Sequence, residues 1–553
     1  MARTDADIGT PSQILVGMAS LGCPKNLVDG ESMLGLLTTH GFTITPDADL
    51  ADVIIVNTCG FIDAAKKESI GVILDMAEKK ATGRCRILIV TGCLSERFRD
   101  SFQAELPEVD AVLGTGEYGR ICNVVAELAI SKGLGKANIT AGREAMQANT
   151  AAGREATQAN IAAGCETART VHESTAPQRL EHLNANRVLT SGTNSVYIKI
   201  AEGCDNNCTY CIIPSIRGPY ISRCSADILA ETERLSFHND IEAVLVAQDT
   251  TKYGSDGAQG AIMPGSDGAQ GETMLGLDGR HGSAGLCDLL EEMSRLEHVH
   301  WIRLMYAYPD RVDGMLIEQF IKNGKLLHYL DMPVQHASDR VLRGMGRRYG
   351  RSDLYDIVTT LRRLVPDIIL RTTVMTGFPG ESDEDFSELI DFINYARFER
   401  LGVFAYSREE GTRAAVMPGQ VPKKIARERR SELLRVQSAI LAQSESARIG
   451  SEYEALVVNR AKSAGGHALY QVRTYAEAPE VDGTIRVRVR ANARVRANAR
   501  AQAHANACAI AHANACARAG ADSGPNNGII EPRGFINVKI TGMDSKGLYG
   551  EFI

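Results

Sequence analysis

The sequence predicts an α/β protein with two parallel-sheet blocks and a short β-rich tail. Three observations carry this. Apolar runs of strand length alternate with helical patterns through residues 12–135 and again through 188–420, an order that implies parallel strands joined by helices. Three repetitive tracts separate or interrupt those blocks. No apolar run approaches the ~20 residues needed to cross a bilayer.

At 553 residues the chain has room for two to four domains. Its net charge of −7 gives no global reason to expect a nucleic-acid partner. The N-terminus, Met1-Ala-Arg-Thr-Asp5, lacks a basic-then-apolar leader pattern, so a cytoplasmic protein with no membrane partner is expected.

In the first block, strands are expected at Val16–Leu21, Val53–Val56 and Ile87–Val90, with a helix over Asp63–Lys80 opened by Asp63 as its N-cap. Together they predict an open parallel sheet over 12–135. A nine-residue string starting at Ala141 recurs from Ala152, and Gly254-Ser-Asp-Gly-Ala-Gln-Gly260 recurs from Gly265. Similar repeats fill the third tract. Short Gly-containing copies cannot bury a continuous core, so 136–187, 255–283 and 484–530 read as flexible inserts. His504, Cys508, His512 and Cys516 are each four apart, a metal-binding stripe if helical, but repeat expansion produces the same spacing.

The central block, 188–420, offers six strands: Val196–Ala201, Ala243–Ala247, Trp301–Tyr306, Tyr329–Met332, Ile368–Val374 and Gly402–Tyr406. Six strand–helix units suit an open, partial (β/α)6 barrel rather than a closed one. In barrels of this kind the active site lies at the C-terminal strand ends. A connecting helix over Lys423–Arg448, within 421–450, leads to the tail at 451–553.

The chemistry sits in the loop after the first central strand. Cys204, Cys208 and Cys211 have the spacing C-x3-C-x2-C. Three thiolates at this spacing can hold three irons of a four-iron, four-sulfur cluster and leave the fourth iron open to a small molecule. A zinc site completed by a distant ligand is the competing reading, although zinc motifs usually bring a second C-x2-C pair. Cys23, Cys59 and Cys93 each lie just beyond a predicted strand of the first block. The carboxyl ends of adjacent parallel strands share one crevice, so these three can meet as a second metal-binding triplet. Burial as small hydrophobes is the alternative.

These residues resemble the radical S-adenosylmethionine methylthiotransferases, and outside the inserts the likeness covers nearly the whole chain. The likeness includes the tail motif Arg473–Gly483, and several strings resemble the branch that modifies ribosomal protein S12: Gly22-Cys-Pro-Lys-Asn26, Cys59-Gly-Phe-Ile-Asp63, Gln248-Asp-Thr-Thr-Lys-Tyr-Gly254, Pro333-Val-Gln-His-Ala-Ser338 and Gly346-Arg-Arg348. The resemblance implies a radical-SAM barrel at the centre and a small TRAM β-barrel in the tail. It implies that Cys204, Cys208 and Cys211 hold the cluster that binds and cleaves S-adenosylmethionine. Cys23, Cys59 and Cys93 would hold an auxiliary cluster that carries the sulfur. The acceptor would be the β-carbon of one aspartate in S12, with a second S-adenosylmethionine supplying the methyl group. A monomer served by an electron donor such as flavodoxin or ferredoxin is expected; the sulfur donor stays open.

Gly377-Phe-Pro-Gly380-Glu381 follows a strand and is a candidate for close approach of S-adenosylmethionine, or an ordinary strand-to-helix turn. Gln248, His336 and Arg347 are candidate contacts to cofactor or substrate, an arginine suiting a carboxylate. The tail core, 451–483, carries Arg460, Lys462 and Arg473 against Glu452, Glu454, Glu477, Glu480 and Asp482. A weakly acidic surface suits a basic ribosomal protein better than tRNA. Transfer to a tRNA adenosine, or a non-enzymatic iron–sulfur or zinc protein, are the alternatives. Two departures from the family pattern are Gly30, where serine is usual, and Cys224, where proline is usual.

Overall fold

Five short apolar stretches near the N-terminus become one parallel sheet: β1 (Leu15–Ser20), β2 (Thr43–Ile44), β3 (Val53–Thr58), β4 (Ile87–Gly92) and β5 (Ala111–Val112), in the order β2-β1-β3-β4-β5. The computed structural model describes residues 14–134, 179–190, 192, 194–256, 283–464, 467–490 and 534–553. Every residue of β3 and β4 is buried, as expected for central strands of a sheet covered on both faces. Alternation divides them. Val53, Ile55, Ile87 and Ile89 join one core with the helices Pro24–Thr39 and Ile121–Ser131; Ile54, Val56, Leu88 and Val90 join another with helix Asp63–Thr82. Asp63 is not the N-cap of that helix. Ile62 occupies the cap, and Asp63 is the first helical residue, paired with Lys66 at 2.7 Å.

The described residues form two units. The first contains this sheet, Ala201–Arg223 and Ser407–Ala415. In it, β7 (Ala201–Glu202) pairs antiparallel with β8 (Ile221–Ser222) and closes off the cysteine loop between them.

The second unit holds a six-stranded sheet, all parallel: β6 (Ser195–Lys199), β9 (Ile241–Val246), β10 (Val299–Leu304), β11 (Leu326–Asp331), β12 (Ile369–Thr376) and β13 (Arg400–Ala405). The order β13-β12-β11-β10-β9-β6 leaves β6 and β13 as edges, so the barrel is partial and open as the sequence predicts. Helix Lys423–Ala447 leads to a closed barrel, β14-β15-β16-β18-β17, from β14 (Glu452–Ala464), β15 (His467–Arg473), β16 (Ile485–Arg490), β17 (Phe535–Asp544) and β18 (Gly547–Phe552). Tyr470, Val472, Val487, Val538 and Ile540 fill it.

The string Arg473–Gly483 fastens this barrel to the open sheet. Glu242 on β9 is fully buried between Arg303, at 2.6 Å, and Arg473, at 2.6 Å. Glu477 pairs with Arg448 and, at 3.1 Å, Arg400, while the Tyr329 hydroxyl donates to Asp482 at 2.7 Å.

Two insert boundaries move. Residues 485–490, assigned to the third tract, are strand β16 of the barrel. Residues 179–187, assigned to the first tract, include a 3-10 turn at Glu181–Asn184 and dock on helix Pro24–Thr39 through His182–Asp29 (3.0 Å) and Arg187–Glu31 (2.5 Å). The remainder of the tracts, with the His504–Cys516 stripe, lies outside the described residues. Among the described residues no helix is long and apolar enough to cross a membrane.

Candidate active site

Cys23 comes three residues after the end of β1 as the N-cap of helix Pro24–Thr39, Cys59 follows β3, and Cys93 opens the short helix Cys93–Arg97 after β4. Because β1, β3 and β4 are neighbours in register, Ser20 opposite Asn57 and Thr58 opposite Gly92, their ends present the three cysteines side by side. The turns are locked by hydrogen bonds. The Asn26 amide donates to Leu21 O at 2.7 Å and Thr58 O at 3.3 Å; Asn57 Nδ2 returns a bond to Asn26 O at 2.7 Å. Ser69 Oγ donates to Cys59 O at 3.0 Å and accepts from Cys59 N at 3.0 Å.

Two glycines make this crowding possible. A Cβ at Gly22 would lie 2.7 Å from the Cβ of Cys59. Gly92 has φ +100°, and a Cβ there would lie 2.4 Å from Thr58 O. Gly92→Ala is therefore expected to cost about 1–3 kcal/mol from backbone conformation alone, with the steric clash adding to it. It should also lower iron bound per chain, while the conservative Val90→Ile retains it; thermal unfolding and iron assay check both.

The thiols feel one another. Burial pushes Cys93 up to about 11, with Cys23 and Cys59 adding to the rise and Arg217 opposing it. Burial also raises Cys59, with Cys23 contributing. For Cys23 burial acts upward too, but Lys25, Arg217 and two backbone N–H groups outweigh it and hold the thiol below its usual 9.0.

Cys204, Cys208 and Cys211 lie in the loop between β7 and β8. Cys204 N donates to Gly218 O at 3.0 Å, Cys208 N to Asn206 O at 2.8 Å, Cys211 N to Cys208 O at 3.1 Å, and Tyr220 N to Asp205 Oδ1 at 3.0 Å. A short helix, Ile213–Arg217, follows the last cysteine.

This loop and the first triplet come together in one unit. Ile212 and Ile216 pack with Cys93 in a buried cluster. Thr115 Oγ1 donates to Ile216 O at 2.7 Å. Arg217, 2% exposed, points Nε and Nη2 at Cys93 Sγ at 3.4 and 3.3 Å. Ser407–Ala415 straps the assembly: Ala414 N donates to Thr209 O at 2.8 Å and Arg413 to Asn207 O. Glu409 in the same strap takes Lys66 at 2.9 Å and Arg97 at 3.0 Å, both on the helices that follow Cys59 and Cys93.

The remaining candidates lie in the second unit. Gln248 comes two residues after β9 and is half-buried. Arg347 stands 4.6 Å from the ring centre of Tyr308 and 5.7 Å from that of Tyr349. Beside it, Tyr308 N donates to Thr251 Oγ1 at 3.0 Å, and Arg311 pairs with Asp249 at 2.5 Å, so the Gln248–Gly254 string and Arg347 share one corner at the strand ends. His336 is buried, its Nδ1 accepting from Ser338 N at 3.0 Å; burial pushes it down to about 3 and keeps it neutral. Gly377 has φ +75°, and a Cβ there would lie 2.2 Å from that of Ala426, so this glycine admits the connecting helix. Gly380 N donates to Gly419 O at 2.7 Å, and Glu381 accepts from Phe378 N at 3.0 Å. Burial, opposed by Arg429, lifts Glu381 to about 7. Gly377–Glu381 is a strand-to-helix turn after β12, closed by its own glutamate.

Residues 16–114 match the family described as Uncharacterized protein family UPF0004, and residues 198–393 match the radical SAM superfamily. The chain is 42% identical to ribosomal protein uS12 methylthiotransferase RimO of Acetivibrio thermocellus, over 85% of this chain and 91% of that one. It is 40% identical to the protein of the same name from Pelotomaculum thermopropionicum, over 85% and 92%. The chain belongs to the RimO family of methylthiotransferases. Among solved structures it is similar to the radical S-adenosylmethionine methyltransferase TsrM of Kitasatospora setae, at 14% identity and a TM-score of 0.45, over 71% of this chain and 73% of that one.

The family name fits the donor set. Radical SAM proteins use an iron–sulfur cluster and S-adenosylmethionine, and each triplet here offers three thiols. Among the described residues no three His, Cys, Asp or Glu side chains close on a single-ion site. The chain's departures from the RimO pattern are also accommodated. A Cβ at Gly30 would meet Met18 Sδ and Ser20 Oγ at 3.1 Å, so a serine there requires those side chains to give way. Cys224 caps the next helix at φ −61°, the value a proline imposes.

Sequence reasoning missed Arg217, Glu409 and the 179–190 segment. A lone arginine after the cysteine loop was the only trace of the first. Glu409 finds its partners more than 300 residues away, a pairing that no local pattern records.

Proposed function

We propose that this chain transfers a methylthio group to the β-carbon of an aspartate in ribosomal protein S12, in the cytoplasm. The observation that carries the reading is the packing of Cys93 against Ile212, Ile216 and Arg217, which brings a thiol of one triplet to the loop bearing the other. In this reading Cys204, Cys208 and Cys211 hold the S-adenosylmethionine-binding cluster, and Cys23, Cys59 and Cys93 hold the auxiliary one. When bound, these groups supply the radical and sulfur chemistry that an unactivated C–H bond requires, since such a bond offers a general base no acidic proton.

The chain's own contribution is placement. The Ser407–Ala415 strap and Arg217 fix the cysteine loop on the first unit, so orientation is settled before substrate arrives. Ile212 and Ile216 cover Cys93 and keep water from it. Arg347, Gln248, His336, Gly377 and Gly380 are proposed to contact S-adenosylmethionine or the aspartate. Arg347 has the fork that pairs with a carboxylate, whereas neutral His336 serves as a hydrogen-bond partner rather than a cation. Strand β16 brings Arg486, Arg488 and Arg490 into the tail barrel, so its charge does not choose the acceptor; the choice of S12 rests on relatives that carry the uS12 name and are matched over about nine-tenths of their length. A monomer reduced by a flavodoxin- or ferredoxin-type donor completes the proposal.

Co-expression with S12 in cells lacking their own enzyme, followed by mass spectrometry of S12, is expected to show one methylthio group on a single aspartate. Unmodified S12 together with a methylthiolated tRNA adenosine would overturn this acceptor in favour of the second reading.

A further inference from the structure

We propose that Arg217 is a positioning residue that links the S-adenosylmethionine loop to the auxiliary cluster and raises that cluster's reduction potential through its contacts with Cys93. This rests on Cys23, Cys59 and Cys93 being iron ligands. All five N–H donors of a guanidinium are matched here. Nη1 reaches Asp29 Oδ2 at 2.6 Å and Glu202 Oε2 at 3.1 Å; Nη2 reaches Asn26 Oδ1 at 3.1 Å and Cys93 Sγ at 3.3 Å; Nε reaches Cys93 Sγ at 3.4 Å.

Asn26 and Asp29 belong to the helix that Cys23 caps, Cys93 opens another, and Glu202 ends β7 ahead of Cys204. One side chain thus ties both cysteine sets together. Arg217 is 2% exposed and permanently charged, and its field reaches Cys23, Cys59 and Cys93 alike. Hydrogen bonds to cluster sulfur and nearby positive charge stabilise the reduced, more negative state, so both raise the potential. A lysine keeps the charge but not the fork.

The test is a reductive titration of the reconstituted full chain, followed by electron paramagnetic resonance with S-adenosylmethionine present. The signal that ignores S-adenosylmethionine reports the auxiliary cluster. Arg217→Gln is expected to move its midpoint downward, Arg217→Lys downward by less, and Glu202→Gln, which removes a neighbouring negative charge, upward. A merely structural role predicts shifts of one sign for all three, or none, with iron retained; either result overturns the proposal. If Arg217→Gln fails to fold, the opposed shifts of Arg217→Lys and Glu202→Gln decide it alone. Cys93→Ser separates the two claims. If it leaves the auxiliary signal intact, the ligand assignment fails; if it removes the signal while the arginine and glutamate variants do not shift it, only the role of Arg217 fails.

Discussion

Replacing Cys208 by serine is expected to reduce 5′-deoxyadenosine formation from S-adenosylmethionine to background, with about half the bound iron retained. The reason is local. Cys208 sits between Asn206, whose carbonyl takes its N–H, and Cys211, whose N–H it takes in turn, so the loop keeps its path when the sulfur is lost. The first triplet depends on different turns, held by Asn26, Asn57 and Ser69, and is untouched by the change. Chromatographic assay of the nucleoside beside iron analysis reads both halves. Deoxyadenosine released at the parent rate would remove Cys208 from the cofactor site.

Glu242→Ala is expected to destabilise the second unit by about 3–5 kcal/mol, because it strands two buried guanidiniums that share one carboxylate. Arg303 is fully buried and Arg473 nearly so. The residual bonds of Arg303 to Tyr475 O (2.8 Å) and of Arg473 to Glu477 O (3.0 Å) do not replace the lost charge. Calorimetric unfolding measures the effect, and a change below about 1 kcal/mol, the scale of an exposed pair, would contradict it.

The same network sets an acid limit. Burial would raise Glu242 and Glu477, but Arg473 with Arg303, and Arg448 with Arg400, outweigh it and hold both carboxyls at about 2, against an ordinary 4.5. Groups depressed in the folded state bind protons more readily when unfolded. Their stabilisation is complete above about 4.5 and is lost as pH falls toward about 2. Unfolding midpoints recorded across that window should decline steeply, and less steeply in Glu242→Gln.

The parts of the fold written in short-range pattern were legible in the sequence. Val53–Val56 and Ile87–Val90 are solid apolar runs because helices cover both faces of their sheet, and each central strand falls within a few residues of its expected place. The six cysteines proposed as cluster ligands stand out in the sequence by the C-x3-C-x2-C spacing of one set and the recurring place at strand ends of the other. Asp63 departs from its expected role because an aspartate before a helical pattern serves equally as cap or as first-turn acid, and the extended backbone of Ile62, at φ −131° and ψ 161°, puts the cap one residue earlier. The tract edges failed for another reason. Alternating arginines and valines at 485–490 look like low complexity, yet Val487 and Val489 face the barrel core and the alternation is that of a strand. Contacts that hold the site, such as Arg217 to Cys93 and Glu409 to Arg97, join distant segments and leave no local mark.

The most direct measurement is iron and acid-labile sulfide in the anaerobically reconstituted full chain. Two separate three-thiol sites predict about eight irons per chain, falling to about four when either Cys23, Cys59 and Cys93 or Cys204, Cys208 and Cys211 are replaced by serine. One or two zincs in place of iron, or iron unchanged by removal of the first triplet, would contradict it.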